Sequence, residues 1–296
     1  MKINNLKHKL KKFNRCYQLA KWVYHSSRIA WCIGMHKRRR FLQEGEADRL
    51  LAFKDIYKGK RCFIIGNGPS LRKQDLTVLK DELTFVTNWF PLYEKCDDIT
   101  PNFYCVSGCE FFGEWKGGIL NQHWYSLVSE KLTSAIKFFP FPLKSHIEKD
   151  QLFSIDKTFY LDFSPHYFGV HNVWQKMNLQ LDITKPLLAG HTVIIDFCIP
   201  IAAYMGFSEI YLLGCDCDYG KSLSQNGQRE YFYPSEKHTT GSPDAKYLAS
   251  VWDSGSVLKT YGYVKKKLDE QGINVFNATI GGRLEVFERV ALSSLF

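Results

Sequence analysis

The chain has 296 residues, 45% hydrophobic and 15% aromatic, enough apolar material for one large domain or two small ones and unlike a disordered chain. Nine cysteines, an odd number without a C-x-x-C pair, argue against a disulfide framework or zinc ribbon and for a reducing, cytoplasmic compartment. The formal charge of +9 resembles a nucleic-acid signal only until it is located: residues 1–40 hold 12 Lys and Arg and no Asp or Glu, so the rest of the chain is slightly acidic and nucleic acid is not an expected partner.

In residues 1–40 the larger side chains Leu6, Leu10, Phe13, Tyr17, Ala20, Tyr24 and, one step further on, Trp31 recur at the 3–4 spacing of a helix face. Lys7, Lys9, Lys11, Lys12, Arg15, Lys21 and the run Lys37-Arg38-Arg39-Arg40 occupy the remaining surface. A basic amphipathic helix carrying Trp22 and Trp31 suits an anionic bilayer surface, at about 1 kcal/mol per Lys or Arg held near the headgroups. The alternative is a helix that packs on its own domain, or on a second subunit of a homo-oligomer, with a solvated basic face. No signal-peptide pattern and no charge-free apolar run of spanning length occurs, so the expected location is the cytoplasm, peripheral at the inner face of the membrane if the basic helix binds lipid. The reading divides the chain into a basic helical segment, residues 1–55, and a second domain, residues 56–296.

From about residue 56, strand-like runs alternate with segments of helical period. The runs are Cys62–Ile65, Phe85–Thr87, Phe103–Val106, Ile136–Phe139, Phe159–Leu161, Ile210–Leu213 and Val275–Phe276. The clearest helices are Thr192–Met205, with Val193, Phe197, Ile201 and Tyr204 on one face, and Ala245–Leu268, with Leu248, Val251, Leu258, Tyr261 and Val264. The pattern predicts an α/β fold with a Rossmann-like, mostly parallel sheet flanked by helices. Residues 113–185 are aromatic and irregular, and residues 220–244, rich in Gly, Ser, Pro and charge, read as a long lid or binding loop.

The first strand stops on Gly66-Asn67-Gly68-Pro69-Ser70. In an open α/β sheet ligands sit outside the carboxyl ends of the strands, where glycine permits a tight turn and close approach of a phosphate to backbone N–H groups. This is neither the dinucleotide G-x-G-x-x-G pattern nor a Walker A loop, and Pro69 removes a donor. Plain turn chemistry and a ligand loop both fit. If the glycines admit a ligand, Gly68→Val should abolish nucleotide binding in a folded protein.

The string G-N-G-P-S-L (66–71), a second strand ending in Asn88, and the later run Ala203-Tyr204-Met205-Gly206-Phe207-Ser208-Glu209-Ile210-Tyr211-Leu212-Leu213-Gly214-Cys215-Asp216 resemble the bacterial sialyltransferases of glycosyltransferase family 42. They also look like the wider group described as 6-hydroxymethylpterin diphosphokinase-like, many of whose members are thought to attach nonulosonic acids. The resemblance spans roughly residues 60–280 and is specific at its two strand ends. It implies a Rossmann-like fold, a CMP-activated sugar donor as co-substrate, a glycan acceptor and no metal or other cofactor. It further implies that Gly66, Asn67, Gly68, Pro69, Ser70, Asn88 and Asp216 line the nucleotide. Ser107 falls where the family has a second asparagine near the donor, and Gly190-His191-Thr192 falls at its Thr-Ser-Gly turn, where a helix N-terminus with a hydroxyl suits an anion. Asn277 and Thr279, in the turn after the last strand, are candidates for cytosine or ribose contacts, or belong to an ordinary strand-to-helix turn.

Sugar transfer needs a stabilised leaving phosphate and a base for the acceptor hydroxyl. By resemblance the tyrosines are Tyr219 and either Tyr231 or Tyr233, and the base is His238, which follows an aromatic pair as the family's histidine does. Asp216-Cys217-Asp218 also fits the D-x-D pattern that holds a divalent ion across a nucleotide diphosphate. Two alternatives to the sugar transferase therefore stand: a metal-dependent D-x-D glycosyltransferase, and pyrophosphoryl transfer with ATP and magnesium by a pterin diphosphokinase-like enzyme. A non-enzymatic nucleotide-binding module is a third.

Overall fold

All seven apolar runs form strands of one sheet in the computed structural model, which describes residues 45–107, 122–162, 180–187, 192–218, 231–233 and 256–296. They are β1 (Arg61–Ile65), β2 (Thr84–Thr87), β3 (Phe103–Cys105), β4 (Ile136–Pro140), β5 (Thr158–Leu161), β6 (Glu209–Leu213) and β7 (Asn274–Asn277). An eighth, β8 (Glu288–Arg289), is two exposed charged residues at the sheet edge, and no hydrophobic pattern announces it. The order is β5-β4-β3-β2-β1-β6-β7-β8 and every neighbouring pair is parallel, so the Rossmann-like α/β expectation holds, with a wholly parallel sheet.

The strands read as continuous apolar runs because both faces are covered. Cys62 and Ile64 point into one core, and Phe63 and Ile65 into the other, as the two-residue strand period requires. On the first face lie the helix at 45–51, the helical residues 193–204 and the Ser256–Asp269 helix, which buries Val257, Tyr261, Val264 and Leu268. On the second lie the Gln122–Lys131 helix, with Trp124 and Val128 buried, and the short turns that follow β1 and β2. Phe63, Tyr211 and Phe276 occupy paired positions on β1, β6 and β7, and their rings stack at 5.1 Å on either side of Tyr211.

Three features depart from the sequence reading. The helix read as Thr192–Met205 contains a widened π turn at Ile194–Cys198, where Ile199 N–H reaches back five residues to the Ile194 carbonyl. Pro200 follows at once and has no N–H to continue the regular ladder. Residues 45–53, at the end of the stretch read as the basic segment, carry Leu50 and Phe53 into the core. Their helix is tied down by buried Glu46, which pairs with Arg49 and Lys144, while Arg49 donates to the Thr158 carbonyl and lies over the Phe159 ring. The described residues of the aromatic stretch 113–185 include the helices Gln122–Lys131 and Lys144–Lys149, whose polar residues mask any clean period. Residues 1–40, and 220–230 and 234–244 of the long loop, lie outside the described residues.

Lys137 on β4 is buried, and its ammonium donates to the Leu132 (2.6 Å) and Ala135 (3.0 Å) carbonyls. Burial, with a smaller push from the Lys157 charge, lowers its pKa from 10.5 to about 8. Below pH 8 both folded and unfolded chains hold the proton; between pH 8 and 10.5 the unfolded chain alone holds it, so stability rises with pH there. Urea unfolding at several pH values is expected to show the wild type gaining about 3 kcal/mol relative to Lys137→Met across that window. The difference cancels the buried thiols and tyrosines common to both chains, and a flat difference would refute the shifted lysine.

Candidate functional site

Between β1 and β6 the strand order reverses, and the loops leaving these two strands flank the crevice where open α/β sheets bind ligands. The loop after β1 is residues 66–70 and the loop after β6 is residues 214–218. They lock together. Gly66 N–H donates to the Leu213 carbonyl (2.8 Å), Gly68 N–H to the Gly214 carbonyl (3.0 Å) and Ser70 Oγ–H to Asp216 Oδ2 (2.9 Å). The Ser70 backbone N–H also donates to the Asp216 carboxylate.

This contact explains the glycines differently from the sequence reading. A Cβ on Gly66 would stand 2.6 Å from the Gly214 carbonyl oxygen, and one on Gly68 would overlap the Asp216 carboxylate. The space glycine leaves open is filled by the protein's own β6 loop, and the N–H groups of Gly66, Gly68 and Ser70 have protein acceptors. Pro69 begins the short turn Pro69–Lys73, with its missing N–H at a position that needs none. Gly282, at φ +74, brings the third loop onto Asp216: its own Cβ would meet the Asp216 carbonyl at 2.5 Å, and Arg283 N–H donates to that oxygen.

Burial, helped by the neighbouring Asp218 charge, raises the Asp216 carboxyl above its ordinary range, against the two Ser70 hydrogen bonds that favour its charged form. Cys217 between the carboxylates has φ +50, a left-handed conformation uncommon outside glycine and asparagine. Among the described residues Asp218 Oδ1 and Asn67 Oδ1 are buried without a hydrogen-bond partner. Asn67 Nδ2 donates to the Thr87 carbonyl (3.0 Å) and hydroxyl (3.1 Å), joining the first loop to the end of β2.

Because the sheet is parallel, the other strand-end candidates share this edge. Asn88 follows β2 at φ +50, held by a relay in which Trp124 Nε1–H donates to the Tyr104 hydroxyl (2.8 Å) and that hydroxyl to the Asn88 carbonyl (2.6 Å). Its side chain has no hydrogen bond among the described residues. Ser107, half-buried, lies two residues beyond β3. Thr192 Oγ accepts from Ile195 N–H, capping the 193–204 helical segment as its hydroxyl suggests.

Asn277 and Thr279 have internal partners. Asn277 is 0% exposed, donates to the Leu284 carbonyl (2.6 Å) and accepts from Thr279 N–H (3.0 Å). Thr279, 4% exposed, donates to the Leu212 carbonyl and accepts from Cys215 N–H. They stitch the β7 turn to β6. Cys215 and Cys217 are buried thiols, and among the described residues no three His, Cys, Asp or Glu side chains are placed to hold a metal ion.

Tyr231 and Tyr233 belong to a short strap beside this edge, their rings stacked at 5.3 Å and 7°. Between them Phe232 sits in a socket of Phe90 (5.5 Å) and Tyr93 (5.2 Å), residues of the turn after β2. Arg72, from the Pro69–Lys73 turn, donates to the Tyr231 and Phe232 carbonyls. Nothing in the local sequence marked this arginine, since both acceptors are backbone atoms about 160 positions away. Tyr219, Gly190, His191 and His238 lie outside the described residues.

No protein-family model and no curated protein sequence matches the chain. Among solved structures it is similar to the sialyltransferase CstII from Campylobacter jejuni in complex with the substrate analogue CMP-3FNeuAc, at TM-score 0.45 and 14% identity over 78% of this chain and 86% of that one. A second CstII structure, with cytidine-5'-monophosphate, gives TM-score 0.43 and 17% identity over 79% and 86%.

Proposed function

We propose that the chain is a glycosyltransferase moving a sialic-acid-like, nonulosonic sugar from a CMP-activated donor to a glycan acceptor, with inversion and without a metal ion. The observation that supports it is the lock between the two segments that carry the family resemblance. Gly66–Ser70 and Gly214–Asp216, joined through Ser70 and Asp216 at a separation of 146 residues, meet at the topological switch point of the sheet. The bond from the sugar's anomeric carbon to the phosphate oxygen breaks as the acceptor oxygen attacks the opposite face. The acceptor proton passes to His238, and the charge growing on the phosphate is met by hydroxyls from Tyr219, Tyr231 or Tyr233. Asn67, Asn88, Ser107 and Asp216 line the nucleotide side.

Calorimetry with CMP and ATP, each with and without magnesium, tests this reading. CMP is expected to bind without magnesium and ATP not to bind. ATP binding that needs magnesium would replace it with pyrophosphoryl transfer, and CMP binding without sugar transfer would leave a binding module. One observation favours the D-x-D alternative: Asp218 Oδ1, beside Asp216, has no hydrogen-bond partner among the described residues.

Among the described residues no helix is long and apolar enough to cross a membrane. We infer that residues 1–40 attach the protein to anionic lipid. Because Leu50 and Phe53 are in the core, a truncation that tests this must keep residues from 45 onward. The shortened chain is expected to lose sedimentation with phosphatidylserine liposomes, and the full chain to lose it in 0.5 M salt, where screening shortens to about 4 Å. Equal binding by both chains at low salt would refute the attachment.

A further inference from the structure

We propose that Arg72 is a positioning residue that couples the loop after β1 to the tyrosine pair. The inference deepens the glycosyltransferase reading and rests on it for the role of the tyrosines. The turn that carries Arg72 is fixed by the two residues before it: Ser70 is hydrogen-bonded to Asp216, and Leu71 fills the space beside Gly214, where an added Cβ would stand 2.6 Å from the Leu71 side chain. Arg72 therefore leaves a rigid base. Its planar fork reaches two successive carbonyls, Nη2–H to Tyr231 and Nε–H to Phe232 (3.4 Å), which a lysine ammonium on a flexible stem cannot hold with the same geometry. Phe232 in its aromatic socket supplies the third point of attachment. These three attachments hold the backbone between Tyr231 and Tyr233, whose rings stack on each other, so the place from which their hydroxyls would meet a leaving phosphate is tied to the same turn that holds Asp216.

The test uses the full chain, Arg72→Ala and Arg72→Lys, with CMP and a CMP-sialic acid donor. In Arg72→Ala, amide hydrogen exchange at residues 231–233 is expected to quicken about tenfold or more. Transfer kcat is expected to fall by about 10²-fold, as misplacement of catalytic groups does, while CMP affinity stays within about threefold. Arg72→Lys should fall between, and millimolar guanidinium should restore part of kcat to Arg72→Ala and none to the wild type. Unchanged exchange at 231–233 in Arg72→Ala overturns the anchor. Faster exchange with unchanged kcat overturns the positioning role. A wild-type chain that transfers no sugar refutes the transferase reading instead, and the exchange comparison then still decides whether Arg72 holds the strap.

Discussion

His238→Ala is expected to lower sugar transfer by about 10²–10⁴-fold, the range for a missing general base, while CMP binds within about threefold of the wild type. Affinity and rate should separate because the histidine's proposed partner is the acceptor hydroxyl and not the nucleotide. Single-turnover rates and CMP titration measure the two quantities, and chelator added to the wild type decides the metal question. If chelator stops transfer while His238→Ala does not slow it, the base is elsewhere and the Asp216–Asp218 pair holds a metal ion. Asp216→Ala and Asp218→Ala would then both lose metal-dependent activity.

Gly68→Val is expected to destabilise the fold by about 2–4 kcal/mol, the range for overpacking that also removes hydrogen bonds. The new side chain takes the place of the Asp216 carboxylate and stands 2.6 Å from the Gly214 carbonyl, so the β6 loop must move. That movement breaks the Gly68–Gly214 and Ser70–Asp216 bonds together. Loss of CMP binding should therefore accompany a lower urea midpoint, in contrast to the folded, non-binding variant that the sequence suggests. An unchanged midpoint with lost CMP binding would mean that the glycine serves the ligand and that the inter-loop contact contributes little.

These expectations separate two kinds of information. The strands were legible because each is a local apolar run, buried on both faces, bounded by Gly, Pro, Asn or Asp; seven runs gave seven strands. Period was equally local for the helix read as Thr192–Met205 and for the helix read as Ala245–Leu268, of which residues 256–268 lie among the described ones. The Gly66–Ser70 loop stood out by composition, and its place after the first strand was enough to put it at a carboxyl edge. For Asn277 and Thr279 composition leaves a nucleotide contact and an ordinary strand-to-helix turn both open, and the structure gives their amide and hydroxyl groups internal partners in the β6 and β7 turns.

By itself the sequence determined the α/β class, the strand positions, the concentration of positive charge in residues 1–40 and the glycine-bearing loops that follow the first and sixth strands. All of these depend on neighbours a few positions apart, through side-chain period, turn chemistry and local charge. Only the tertiary structure decided the strand order that makes β1 and β6 adjacent, the two-residue β8, the docking of Leu50 and Phe53, and the reason Gly68 has no side chain. It alone showed Arg72 holding the strap and, among the described residues, Asp218 Oδ1 without a partner. Each of these is a relation between atoms brought together by the parallel crossovers from distant parts of the chain. Ser70 and Asp216, 146 residues apart, become hydrogen-bond partners only once β1 and β6 lie side by side.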